Sequence, residues 1–398
     1  MSPTLEQLAA SPNALAPHYS RFRVDERLLF TGHSHQAWPD RGFAGQQQAW
    51  IDAAEHVDEK WSRAFARAEA VAAGFARLLG SSEGRVAIGA STHDLVVRFL
   101  SALPLRQRPR LVTTDGEFHT LRRQLDRLAE EGIEVVKVPV APIESLADRV
   151  ADALDDRTAA ALVSAVFFES GRIAGGLDRI LRACLARGAE LLVDAYHALG
   201  AMPFDLAEQG LGEAFVTGGG YKYLQLGEGN CFLRFPAGRE LRPAVTGWFS
   251  EFAELDRDHR DGAVAYGAGP AVFAGATYDP TSHYRASEVF DFFEEQGLAP
   301  DLLRRVSQHQ IDSLMRGFDE LDLDPAIIDR DRGAALEDLA GFLVLRTPRA
   351  GEICAELSRR GVSTDFRGAS LRLGPAPYLC DRQLADAIAI LGEVVRDI

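Results

Sequence analysis

The sequence of 398 residues predicts an α/β protein, with a mostly parallel sheet covered by helices on both faces and a smaller α+β unit after it. Three observations predict this. Short, nearly continuous apolar runs such as Leu191-Leu192-Val193 and Ala161 to Phe168 read as strands buried on both faces. Stretches with helical spacing separate them. Near Ser282 the texture changes to longer helices and then to shorter strands.

The elements follow in order. Residues 1–45 read as an irregular arm that packs with the small unit, punctuated around Gly32-His33-Ser34-His35-Gln36-Ala37-Trp38-Pro39. From about Trp50 the pattern is helical; Val71, Phe75, Leu78 and Leu79 form one apolar face, stopped by Gly80. Val86-Ala87-Ile88 reads as a strand. Leu95, Val96, Phe99, Leu100 and Leu103 mark the next helix, with Ser91 and Thr92 at its start. Leu111-Val112-Thr113 and Val135 to Val138 are strands around a helix carrying Leu121, Leu125 and Leu128. Leu177, Ile180, Leu181, Cys184 and Leu185 have clean helical spacing, and Gly188 ends it. Phe215-Val216-Thr217 and Cys231-Phe232-Leu233 flank a loop that contains Lys222. Beyond residue 284 the pattern predicts one long helix from Glu288 to Leu321, strands at Phe342–Leu345 and Ser370–Leu373, a helix around Ile353 and Leu357, and a closing helix from Leu384 to Val395. The expected division is an arm over 1–45, a large α/β domain over 46–284 and a small domain over 285–398.

Composition narrows the function classes. A hydrophobic share of 46% and a charged share of 25% are ordinary for a globular chain. A net charge of −15 argues against a nucleic-acid partner, because phosphate binding calls for a basic surface. Cys184, Cys231, Cys354 and Cys380 are scattered without a C-x-x-C pair, which fits reduced thiols better than disulfides or a zinc site. The N-terminus carries no basic region followed by an apolar core, and no apolar run reaches membrane-spanning length. The expectation is a soluble cytoplasmic protein with no membrane partner.

The most informative residue is Lys222. Only three of the 43 Lys and Arg residues are lysines, the others being Lys60 and Lys137. Arg stays protonated in proteins, whereas a desolvated Lys can lose its proton and attack a carbonyl. Lys222 follows an apolar run and a Gly218-Gly219-Gly220 stretch; Asp194 ends another apolar run 28 residues upstream. A Lys for a Schiff base and an Asp for a pyridinium nitrogen are the groups that a pyridoxal phosphate (PLP) enzyme supplies. The alternative is a lysine that caps a loop. Ligands of open α/β sheets bind beyond the carboxyl ends of the strands, where Ser91, Thr92, Phe118, Asp194 and Lys222 all fall. Ser91 and Thr92 before a helix suit a phosphate, or are only an N-cap. Phe118 is a stacking ring or a core residue. The triple glycine lacks nucleotide-loop spacing. His33 and His35 have no partner cluster, so no metal site is expected.

Several separated segments agree with one family. Asp194-Ala195-Tyr196-His197, Tyr221-Lys222-Tyr223 and the Gly227-Glu228-Gly229 turn resemble the class V aminotransferase superfamily of PLP enzymes. Gly32-His33-Ser34, Glu55-His56 to Trp61, Asp115 to Thr120, Gly247-Trp248-Phe249, Asp365-Phe366-Arg367 and Leu371 to Pro377 resemble kynureninase elements in the same order. The resemblance implies a PLP-dependent transferase fold type I, and a homodimer with its active site at the interface. It implies that Lys222 carries PLP and shuttles protons while Asp194 keeps the pyridine nitrogen protonated. His197 and Ser164 would lie near the ring and Phe118 would stack on it. Ser91, Thr92 and Tyr221 would bind the phosphate, and Trp248 would reach in across the interface. Arg372 would take the substrate α-carboxylate, with Ser34 and His56 also at the substrate; the alternative for Arg372 is a structural pairing with an acidic neighbour. The implied reaction is hydrolytic Cβ–Cγ cleavage of an amino acid or a related β-elimination, against transamination or desulfurase-like chemistry, or a PLP-binding protein without catalysis. The sequence departs from the pattern at His33 and Gly269, each in place of an Asn, and at Leu121 in place of an Asp. The last implies loss of a carboxylate near the cofactor.

Overall fold

The computed structural model describes residues 3–81, 85–239, 241–254 and 264–398. The arm holds a short helix, α1 (Leu5–Ala9), closed by a Thr4 capping box, and a two-residue strand, β1 (Leu28–Leu29). Helices α2 (Asp40–His56) and α3 (Lys60–Leu78) lead into β2 (Arg85–Gly89) and α4 (Thr92–Ala102). Then come β3 (Arg110–Thr114), α5 (His119–Glu130), β4 (Glu134–Val138), α6 (Leu146–Asp152), β5 (Thr158–Ser164), α7 (Leu177–Ala186) and β6 (Glu190–Asp194). Strands β7 (Phe215–Gly219) and β8 (Cys231–Phe235) form a hairpin around the Lys222 loop.

These strands make a seven-stranded sheet in the order β2-β8-β7-β6-β5-β3-β4. Only β8 runs antiparallel to its neighbours. Successive residues of β5 face opposite layers. Ala160 and Leu162 join Val96, Phe99 and Leu125 of α4 and α5, whereas Ala161 and Val163 join Phe75, Ile180 and the helices of the other face. Both faces are therefore buried, as the apolar runs predict.

Helices α8 (Thr281–Glu295) and α9 (Pro300–Glu320) replace the single long helix expected from Glu288 to Leu321. Gly297, at φ +63°, ends the first, and Pro300 opens the second with a fixed φ and no N–H to satisfy. Helix α2 starts ten residues before the expected Trp50, so the arm is less irregular than its sequence suggests. Its glycines conceal the pattern: a Cβ on Gly45 would strike the Tyr284 carbonyl of α8. A four-stranded antiparallel sheet, in the order β12-β13-β10-β9, follows: β9 (Asp329–Arg330), β10 (Leu343–Arg346), β12 (Asp365–Arg367) and β13 (Ser370–Leu373). Helices α10 (Ala350–Arg359) and α11 (Asp381–Asp397) belong to this part, and β11 (Val362–Ser363) pairs with β1 of the arm. Among the described residues, no helix is long and apolar enough to cross a membrane.

Candidate active site

A cavity of about 280 Å³ opens at the carboxyl edge of β2, β5, β6 and β7. Ser91, Thr92, Phe118, Ser164, Asp194, His197, Tyr221 and Lys222 all line it. Sequence register delivers them there. Ser164 and Asp194 are neighbours at the ends of β5 and β6, and Asp194 pairs with Thr217 of β7. The triple glycine proves to be a packing device, because side chains at Gly219 and Gly220 would collide with Tyr196 and Leu226.

The Lys222 loop is pinned from below. Arg285 donates from Nε to the Leu226 carbonyl at 2.7 Å and from Nη2 to Glu228 O, while Tyr19 donates to Gln225. The Lys222 Nζ lies 2.7 Å from His197 Nε2 and 4.4 Å from the Tyr196 ring centroid. Burial destabilises its ammonium; the Asp194 charge opposes this and the Arg372 charge adds to it, and the amine pKa falls to about 7. Burial likewise drives the Asp194 carboxyl upward, against the Tyr196 N–H that its Oδ1 accepts at 2.9 Å and against Lys222. His197 is held neutral, first by burial and then by the cations around it.

Two buried polar atoms on the wall suggest a polar ligand. His197 Nδ1 has no hydrogen-bond partner, and Thr92 Oγ1 has only the Cys231 thiol beside it. Ser91 is the N-cap of α4 and accepts from Asp94 N at 3.1 Å, so the N-cap alternative also holds; at the helix start the Thr92 amide faces the Cys231 thiol and the His93 amide follows it. A buried amine of lowered pKa, a carboxylate across the cavity, a flanking aromatic ring and a helix N-terminus together fit the aldehyde, pyridine nitrogen, ring face and phosphate of PLP.

Other expected residues fall elsewhere in the single chain. Trp248 packs on Phe249 and Phe252, beside a second cavity of about 650 Å³ that meets the first only at Ala90. His56 ends α2 next to Glu55, and Ser34 contacts His35; neither lines either cavity. Arg372 is 3% exposed and its fork is engaged: Nε donates to Asp365 Oδ1 at 2.8 Å, Nη2 to Oδ2, and Nη1 to the Phe168 carbonyl at 2.8 Å. His33 completes the cluster, 2.7 Å from Asp365. Burial opposes the ionisation of Asp365, but the hydrogen bonds from His33 and Arg372 outweigh it and hold the carboxyl well below the usual range. Leu121 is not a cavity position: it is fully buried in the core between α4 and α5. Gly269, at φ +62°, stands by Arg85 near the second cavity. A carboxylate does sit behind the first cavity, at Glu117. The motif that contains it points to Phe118, and a carboxylate before an aromatic carries no pattern of its own.

The architecture is that of the PLP-dependent enzymes of fold type I. Over 94% of this chain and 96% of the other it superposes on the apo cysteine desulfurase of Thermococcus onnurineus, with a TM-score of 0.79 and 15% identity. C-DES, a cystine C–S lyase, solved with glycine covalently linked to its PLP cofactor, matches with a TM-score of 0.79 and 16% identity over 95% and 98% of the two chains. No protein-family model matches the chain. By sequence it is similar to kynureninases. The kynureninase of Deinococcus radiodurans is 28% identical over 396 residues, covering 93% of this chain and 90% of that one. These likenesses, with the cavity, support pyridoxal 5'-phosphate as the cofactor.

Proposed function

We propose that this chain is a PLP-dependent enzyme acting on an α-amino acid by hydrolytic Cβ–Cγ cleavage or a related β-elimination. The observation that carries the reading is the buried Lys222 amine, its pKa lowered to about 7, in one cavity with the Asp194 carboxylate. When bound, the cofactor supplies an aldehyde for amines and a protonated pyridine that accepts electrons from the substrate. The chain does the rest. Asp194 holds a proton on the pyridine nitrogen. Lys222 takes and returns protons at Nζ, a task that a pKa near neutrality suits. His197 orients that Nζ. Ser91, Thr92, Tyr221 and the first amides of α4 hold the phosphate, and Phe118 walls the ring. A homodimer is supported by the exposed Trp50, Trp248 and Phe252, 82%, 46% and 46% accessible; it would bring Trp248 to a neighbouring site, with Ser34 and His56 at the substrate.

The desulfurase alternative rests on the fold neighbours. Its chemistry needs a mobile thiolate. Cys231, the cavity thiol, is buried at the start of β8 with its pKa pushed up by that burial, and Cys354 sits in α10 against Thr364. Neither favours it.

Borohydride reduction followed by peptide mapping is expected to find a pyridoxyl group on Lys222. A label on Lys60 or Lys137 sinks the assignment. Product analysis by mass spectrometry separates the reactions: hydrolytic scission next to a γ-carbonyl leaves alanine, elimination leaves a keto acid and ammonia, and transamination leaves the carbon skeleton whole.

Arg372 is assigned the substrate carboxylate. Three of the five guanidinium N–H groups are used by Asp365 and Phe168, and two remain. Arg372→Lys is expected to raise KM for amino acids by about 10- to 100-fold, the worth of a charge-assisted pair, and to leave the absorbance of the bound cofactor unchanged. Equal reactivity of amines lacking a carboxylate, unaltered in the variant, would make Arg372 purely structural.

A further inference from the structure

We infer that Glu117 sets the hydrogen-bonding sense of Ser164 toward the cofactor cavity. Ionised, it accepts a hydrogen bond from the Ser164 hydroxyl, whose oxygen then faces the cavity as an acceptor; protonated, it donates to Ser164 Oγ, whose own proton then turns into the cavity. The inference rests on reading that cavity as the PLP pocket.

The geometry is closed on every side but one. Glu117 is 2% exposed, between the end of β3 and the start of α5. Its Oε2 accepts from Ser164 Oγ at 2.6 Å; its Oε1 accepts from Thr114 Oγ1 at 2.7 Å and from Ser164 N at 3.2 Å. Thr114 Oγ1 already accepts from Gly116 N, so its proton belongs to Glu117. With both carboxylate oxygens so held, the free side of Ser164 Oγ is the one at the cavity.

Among the described residues, no cation is paired with this carboxylate. Asp194, from β6, faces it with like charge. The Lys222 amine is engaged with His197. On its own loop, Asp115 turns away to accept from Val140 N, and His119 is exposed against Phe118 and Phe168. Burial first, then Asp194, raise the Glu117 carboxyl against the pull of its hydrogen bonds, to about 7. The group therefore changes state near neutral pH. The proton balance is simple: one proton enters from solvent, ends on Glu117 Oε2, and the Ser164 proton swings without leaving its oxygen. An anionic oxygen on a ligand is stabilised by the donor form and disfavoured by the acceptor form.

The test is the absorbance of the holoenzyme across neutral pH. Wild type is expected to show a step near pH 7 that Glu117→Gln loses, because the amide keeps the shape but cannot titrate. Ser164→Ala should lose the same step with Glu117 intact. A carboxylic-acid C=O infrared band should grow as wild type is acidified through pH 7 and be missing from Glu117→Gln. Superimposable absorbance titrations of wild type and either variant overturn the inference, as expected for a Glu117 that only shapes the fold. Should Glu117→Gln fail to fold, the Ser164→Ala titration decides alone. A wild-type protein with no bound cofactor band overturns the reading of the cavity, and this inference with it.

Discussion

Asp194→Asn is expected to leave the fold and cofactor loading in place and to lower kcat by about 10²- to 10³-fold, the cost of losing one preorganised electrostatic partner, about 3 kcal/mol. The amide is isosteric and still accepts the Tyr196 N–H that Oδ1 receives now. What it lacks is the negative charge. A buried carboxylate whose pKa is already raised by desolvation is poised to hold a proton jointly with a ring nitrogen, and no described residue donates to its Oδ2. Removing that charge lets the nitrogen lose its proton, so the electron sink weakens while binding through Lys222 and the phosphate cradle persists. Stopped-flow kinetics on a loaded variant measure the loss, with circular dichroism as the control for folding. Near-normal turnover would place the pyridinium partner at another residue.

The sheet was legible because burial on both faces writes itself as unbroken apolar runs, and β5 and β6 are such runs. Helix α2 was not. It packs against α8 through Gly42 and Gly45, and close backbone approach removes the side chains whose spacing would have revealed it. The break at Gly297 and Pro300 was in plain view, yet apolar residues continue on both sides of it, since α8 is buried over most of its circumference and α9 along one stripe. Periodicity reports burial more faithfully than continuity.

The same physics divides the site. Residues at strand ends and helix starts could be placed from sequence, because in a parallel sheet those positions share one edge. His33 could not be joined to Asp365 that way, because their contact spans 332 residues, whereas the engagement of the Arg372 fork by Asp365 is local, across the β12–β13 pair, and matches the acidic-neighbour alternative. Leu121 shows that position in a motif does not fix the direction of a side chain. On α5 the cavity side is held by Thr120 and the preceding Phe118, while Leu121 turns to the core.

Lys222→Ala is expected to lower turnover by about 10³-fold or more, the upper part of what a positioned acid–base group supplies. PLP should still bind through its phosphate and Asp194 contacts, but without a link that borohydride can trap. The wild-type amine predicts a pH signature as well. Its pKa in the fold lies near 7, below the ordinary 10.5, so the unfolded chain holds more protons between those values. The stability of the cofactor-free protein should therefore rise with pH across that window, as folding no longer has to strip a proton that only the unfolded chain holds. Below pH 7 the amine is charged and cannot attack, so reloading of the cofactor-free protein with PLP should slow as pH falls through 7, where an exposed lysine would already be slow at pH 9. Thermal melts and absorbance-monitored reloading across pH follow the two effects separately. A reloading midpoint near 10 would mean that the pocket does not desolvate Lys222, and the physical basis for its nucleophilic role would be lost.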